Sequence, residues 1–164
     1  MENKKILECA LLVLAIALVV IFALEFQQRE ARFCRTILNG LVAGSVEIEK
    51  FIDWEQLVAV GVDVGKTYRN KPNPETKLNY VRDFIRGFSV GFRSVKSDVN
   101  KFTNWRVLQR KGTKVVVAAD YLLYNKTILF TLSKLRKTKL IALEWNEGLL
   151  SDKKTSASSA ADNK

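Results

Sequence analysis

NWRVLQRKGTKVVVAADYLLYNKTILFTLSKLRKTKLIALEW, residues 104–145, is the stretch on which the fold turns. It divides into short runs of apolar and β-branched residues separated by compact polar turns, the pattern of strands. "NWRVLQR" reads as one strand and Lys111–Gly112 as a turn. "TKVVVAADYLLY", "NKTILFTLSKL" and "LIALEW" read as three more, with "RKTK" turning between the last two. Val115, Val117, Ala119 and Tyr121 alternate with Val116, Ala118, Asp120 and Leu122, as a period of two requires. Short connections predict an antiparallel four-stranded meander. Both faces carry apolar side chains, so helices are expected on one face and a second contact, such as a partner subunit, on part of the other.

Upstream, the period changes to that of helices. Phe26, Phe33, Ile37, Leu41, Ile48 and Ile52 share a broad face, with Gly40 and Gly44 weakening or bending the element. Asn73 is placed to cap a helix that has Pro74 at its first position, where a missing N–H costs nothing. Within it Tyr80, Phe84, Phe88 and Phe92 recur every four residues and read as a core stripe. "GVDVGKT" ends like a phosphate-binding loop, but Gly61 stands one residue too close to Gly65 and no clear strand precedes it. A chance glycine loop is the better account.

The N-terminal run CALLVLAIALVVIFAL, residues 9–24, contains no charge, Gly or Pro. Extended to Ile6 and Phe26 it would span roughly 31 Å as a helix, about the hydrocarbon thickness of a bilayer. A signal-anchor helix over 6–26 is therefore expected, after a short arm at 1–5. A cleaved leader fits less well, because small-residue cleavage sites are poor. The segment is apolar all round, where a surface helix would show only a stripe, and a buried soluble helix ranks last of the three readings. The flanking bases pull both ways, and the short arm favours a single-pass protein of the cell membrane with an extracytoplasmic (periplasmic) C-terminal domain. Residues 151–164, "SDKKTSASSAADNK", have nothing large to bury and read as a disordered tail.

The chain of 164 residues has 27 basic and 17 acidic side chains, a net charge of +10, and no histidine. After anchor and tail, enough remains for one domain, 27–150. Between Lys66 and Lys114 there are thirteen bases and three acids, an excess that suits either a simply solvated surface or, with equal weight, an anionic partner: lipid headgroups, an acidic protein or nucleic acid. Nucleic acid ranks behind the other two, because no stacking or base-reading module accompanies the charge. Arg82, Arg86 and Arg93 fall on one side of the predicted helix, and Lys134, Arg136, Lys137 and Lys139 crowd the last turn. The lack of histidine removes His-based acid–base and nucleophile systems and leaves metal binding without its commonest ligand. No cofactor and no metal are expected.

Helices followed by these four strands, closing on "TKLIALEW", resemble the NTF2-like or cystatin-like α+β superfamily over roughly residues 32–147. The final strand of that family frequently carries a Trp, which Trp145 would match. With the expected anchor, the architecture is also similar to small membrane-anchored assembly components of secretion and conjugation systems. The resemblance implies an α+β fold, an N-terminal transmembrane helix followed by helices on a curved antiparallel four-stranded sheet. The 6–26 segment, the size of the remainder and the absence of histidine lead to the expectation of a non-enzymatic scaffold that binds a protein partner or an anionic membrane surface, and the apolar sheet faces with Trp105, Phe130 and Trp145 to that of a homo-oligomer or a membrane complex. The alternative that the resemblance offers is a lipid or ligand carrier, with Tyr80, Phe84, Asp120, Tyr121 and Trp145 around an NTF2-like pocket.

Overall fold

The computed structural model describes the backbone of residues 2–146, and their side chains except those of 2–12, 22–24, 26 and 27. The expected tail at 151–164 lies outside these residues. The chain begins with a 42-residue helix α1 (Glu2–Ala43). A 3-10 turn (Val46–Phe51) follows, then β1 (Val58–Ala59), β2 (Val62–Asp63), α2 (Val64–Arg69) and α3 (Pro74–Ser94). After a second 3-10 turn (Val99–Lys101) come the four long strands β3 (Phe102–Lys111), β4 (Lys114–Tyr121), β5 (Lys126–Ser133) and β6 (Lys139–Asn146).

The fold is α+β, with two corrections to the expected architecture. The sheet has six strands, in the order β2-β1-β6-β5-β4-β3, rather than four. It is also mixed, because β1 runs parallel to β6, with Val58 opposite Ala142 and Ala59 opposite Leu143. The chain is laid along this edge by the bridge of Ile52 to Leu140 and by the Asp53 N–H, which donates to the Leu140 carbonyl at 2.9 Å. β1 then reverses into β2 through Val60 and Gly61, both at positive φ. Strands of two residues are too short to leave a periodic signature, which is why the sequence shows four.

The second correction concerns the membrane. Among the described residues, no helix is long and apolar enough to cross a membrane. This overturns the expected transmembrane helix at 6–26, and with it the signal-anchor, single-pass, cell-membrane and extracytoplasmic assignments. The expected segment is the leading part of α1, which continues without a break into the domain core. The longest apolar run of α1 with described side chains, Val13–Ile21, is exposed throughout. The side chains of 6–12, 22–24 and 26 lie outside the described residues.

The core forms where α1 and α3 meet one face of the sheet. Cys34, Ile37, Leu38 and Leu41, a 3–4 spaced stripe on α1, are 0–1 % exposed. They join Val81 and Ile85 of α3 and the sheet residues Val115, Val117, Ala119, Ile128, Phe130, Leu132, Leu140 and Leu143. α3 starts where the sequence places it: the Asn73 side chain accepts from Thr76 N at 2.9 Å and Pro74 follows. Its buried line is Val81, Ile85 and Ser89, one position beyond the predicted aromatic stripe. Tyr80, Phe84, Phe88 and Phe92 flank that line half-buried. Gly40 lets α1 close on the 3-10 turn, since a Cβ there would collide with Ile48. Gly65 allows α2 to approach the Glu55 carbonyl, which gives the "GVDVGKT" glycine a packing role.

One charge is built into this core. Glu30, with its side chain 4 % exposed, receives Arg110 of β3 at 3.1 Å and Lys134 from the end of β5. Both cations keep about a third of their side-chain surface in water. Truncating the carboxylate would leave two cations without their shared counter-charge and a hole beside Cys34. Glu30→Ala is therefore expected to lower stability by about 2–4 kcal/mol. Denaturant titration followed by circular dichroism measures it, and a loss below ~0.5 kcal/mol would show that the bridge is not structural.

Candidate basic cleft

The side chains singled out in the sequence are distributed over separate places. Asp120 and Tyr121 are neighbours in β4 and face opposite sides of the sheet. Tyr121 joins the core cluster, stacked on Phe102 at 4.4 Å between centroids and 6.0 Å from Trp145. Phe84 packs edge-on against Trp54 at 5.5 Å, and Tyr80 receives Lys71 over its ring at 5.2 Å. None of Tyr80, Phe84, Asp120, Tyr121 and Trp145 lines any of four open clefts on the described surface.

Asp120 is held rather than poised. The pairing of β3 with β4 shifts register between Thr103 and Arg106, and Asn104 within the shift has φ +51°. Such a bulge re-aims side chains. Trp105 turns inward, 5.4 Å from Phe130, while Asn104 and Arg106 reach the other face. Asn104 Nδ2 donates to Asp120 Oδ2 at 2.6 Å, and Arg106 Nη1 lies 2.9 Å from the same oxygen. Thr127 Oγ1 donates to Oδ1 at 2.9 Å. Burial alone would raise the Asp120 pKa. The hydrogen bonds from Asn104, Thr127 and Arg106, with the charge of Arg106, outweigh it and hold the carboxyl below its ordinary value. A carboxylate so engaged is a poor proton shuttle at neutral pH.

The last turn behaves differently. Ser133 pairs with both Lys114 and Lys139, and the Lys134 N–H donates to the Thr113 carbonyl at 2.8 Å, so the turn begins abruptly at Lys134. Lys134 bends to Glu30, leaving Leu135, Arg136 and Lys137 exposed, with Leu135 70 % exposed at the tip. One side of the turn closes a cleft of ≈ 770 Å³ against α1 and the first 3-10 turn. Its lining carries six cations, Arg29, Arg32, Lys50, Lys134, Arg136 and Lys137, and one carboxylate, Glu30. Phe33 and Phe51, edge-to-face at 5.5 Å, line it as well. The other side of the turn, with Arg136, Lys137 and Lys139, borders a second cleft of ≈ 620 Å³.

Six cations against one carboxylate leave a formal +5. Arg32 makes an exposed pair with Glu25 at 2.8 Å, of a kind worth at most about 1 kcal/mol. Lys50 lies over the Phe51 ring at 5.1 Å. Among the described residues, Arg29, Lys50, Arg136 and Lys137 have no carboxylate partner. Glu30 is held ionised, because burial, which would raise its pKa, is outweighed by the Lys134 and backbone hydrogen bonds and the charges of Lys134 and Arg110, and its negative charge is met by those two cations. The sequence identifies the turn bases but misses Arg29, Arg32, Lys50 and the Phe33–Phe51 pair. One available signal was Glu30, which stands one turn before Cys34 on the same apolar stripe and so has to be buried and paired.

The second predicted group, Arg82, Arg86 and Arg93, shares a separate cleft of ≈ 330 Å³ at the end of α1. Among the described residues, no group of three or more His, Cys, Asp or Glu is placed to hold a metal ion. Burial pushes the Cys34 thiol far above its usual pKa, with Glu30 adding to the shift, so it stays protonated and unreactive. Comparison with protein-family models, curated proteins and solved structures gave no match.

The two buried carboxylates set the response to acid. Their folded pKa values lie below the unfolded ones, about 4.3 for Glu and 3.9 for Asp, so their stabilisation is complete above those values. It is lost as pH falls through the folded values. Between pH 7 and 5 the contribution of these two groups to the unfolding free energy is expected to be full and constant, and below about pH 4 it is expected to fall. Glu30→Gln/Asp120→Asn should flatten that acid limb, and an unchanged limb in denaturant titrations would contradict the assignment.

Proposed function

We propose that this chain is a non-enzymatic binding module, a scaffold or assembly component, that docks an acidic segment of a protein partner in the basic cleft. The observation that carries the reading is the composition of that cleft: a formal +5 around a pair of aromatic rings. Guanidinium and ammonium groups recognise carboxylates, and the concave Phe33–Phe51 wall suits an apolar anchor within the acidic segment. A flat anionic surface could meet the rim but not this wall. The full pairing of Asp120 and the lack of histidine support a role in binding rather than turnover.

A second reading, a carrier of a lipid or other ligand that brings a polar group, has one observation in its favour. The buried Tyr121 hydroxyl has no hydrogen-bond partner among the described residues. It belongs to a cluster of rings that includes Phe102, Tyr124 and Trp145. Native mass spectrometry of the purified protein would reveal a retained ligand, and its absence would count against this reading.

For the docking reading, a fluorescent twelve-residue Glu/Asp peptide with one central Phe is the probe. Anisotropy should give saturable binding that weakens with salt. Arg136→Glu/Lys137→Glu should weaken it at least tenfold, about 1.4 kcal/mol. Replacing the peptide's Phe by Ala should cost a further few-fold. Equal binding by the charge-reversed protein would overturn the proposal, as would tighter binding to anionic vesicles or single-stranded RNA than to the peptide.

A further inference from the structure

The cleft at the end of α1 has a different chemistry. Arg82, Arg86, Ser89 and Arg93 fall at steps of four, three and four along α3, within about 60° of one another at 100° per residue, so they form one stripe. Ser89 and Arg93 are committed. Ser89 Oγ donates to the Val42 carbonyl at 2.7 Å and accepts from Arg93 Nη2 at 2.8 Å. Arg93 also reaches the Ala43 carbonyl at 3.5 Å. These contacts satisfy carbonyls at the C-terminal end of α1 and offset its partial negative charge, roughly half an elementary charge. Arg82 and Arg86 are left over. Among the described residues they have no carboxylate or hydrogen-bond partner, and the cleft that they line with Arg93 contains no acid.

We propose that this cleft is an oxyanion site for a phosphomonoester, with Arg82 and Arg86 as its ligands and Arg93 as their fixed background charge. The two ligand residues are one helical turn apart, about 6 Å along the axis, so their planar forks can converge on one tetrahedral dianion. Two exposed valines complete the lining: Val46 of the first 3-10 turn and Val90, one turn after Arg86 on α3, are 44 % and 60 % exposed. With ≈ 330 Å³ to fill, the cleft offers room beside the phosphoryl group for an organic substituent against these valines. Ser89 carries the arrangement on α3 up to Gly44, whose positive φ of +73° and close approach to Ser89 Oγ bring the 44–46 segment over the helix. The site is separate from the docking cleft and shares no lining residue with it.

The test uses the full chain with phenyl phosphate and inorganic phosphate as probes, by calorimetry and amide chemical shifts. Phenyl phosphate is expected to bind saturably and several-fold more tightly than phosphate, with shifts centred on residues 43–46 and 82–93. Arg82→Gln/Arg86→Gln should weaken it at least tenfold while thermal unfolding stays within a few degrees of the parent, because both side chains are exposed. Arg136→Glu/Lys137→Glu should leave it unchanged, and the arginine pair should leave acidic-peptide binding unchanged, so the two sites fail independently. No saturation by 10 mM phenyl phosphate, or equal loss in both double variants, would overturn the proposal. Arg82- and Arg86-dependent binding to phosphatidic acid vesicles without binding of soluble phenyl phosphate would overturn it in favour of a lipid headgroup.

Discussion

A buried carboxylate receiving two cations from distant parts of the sheet is the constraint around which this domain is arranged. Glu30 sits on the apolar stripe of α1, and Arg110 and Lys134 arrive from residues 80 and 104 positions away in sequence. Desolvating a lone charge there would cost several kcal/mol, so the carboxylate is tolerable only where both cations reach it. That condition fixes how α1 lies across the strands. It also bends Lys134 inward at the start of the last turn, which throws Leu135, Arg136 and Lys137 outward. The cationic cleft is thus a by-product of neutralising one buried anion.

The two clusters of buried polar groups divide the work. Around Asp120, every carboxylate contact is internal and the cation is used up in holding a strand irregularity in place. Around Glu30 the cations outnumber the anion, and the surplus faces water.

Much of the domain was legible in the sequence, for identifiable reasons. The long strands announced themselves because eight-residue elements offer enough alternation to read, and Asn73–Pro74 marked the start of α3 because capping chemistry is local. β1 and β2 left no mark, being two residues each and positioned by a parallel bridge to β6 that no local pattern encodes. The aromatic series on α3 was read one position away from its true centre, since Ser89, a polar residue, occupies the buried line to reach the end of α1. At the site, the turn bases and the α3 arginines were visible as charge runs. Their separation into two clefts, and the recruitment of Arg29, Arg32 and Lys50, depended on how α1 crosses the sheet. The continuity of α1 from Glu2 to Ala43, by contrast, was legible, because the apolar run passes into the helical pattern beyond residue 26 with no Gly or Pro to stop it.

The outer strand at the β3 end has a consequence of its own. Its register slips twice against β4, Asn104 departs from extended geometry, and Arg106, Arg110 and Lys111 punctuate it. At the opposite margin stands a strand of only two residues. Neither border offers a long straight row of free amides and carbonyls for another chain to zip onto. At both described borders, pairing of one copy's edge strand with another's is disfavoured, so crowding of the domain carries little tendency to fuse strand to strand.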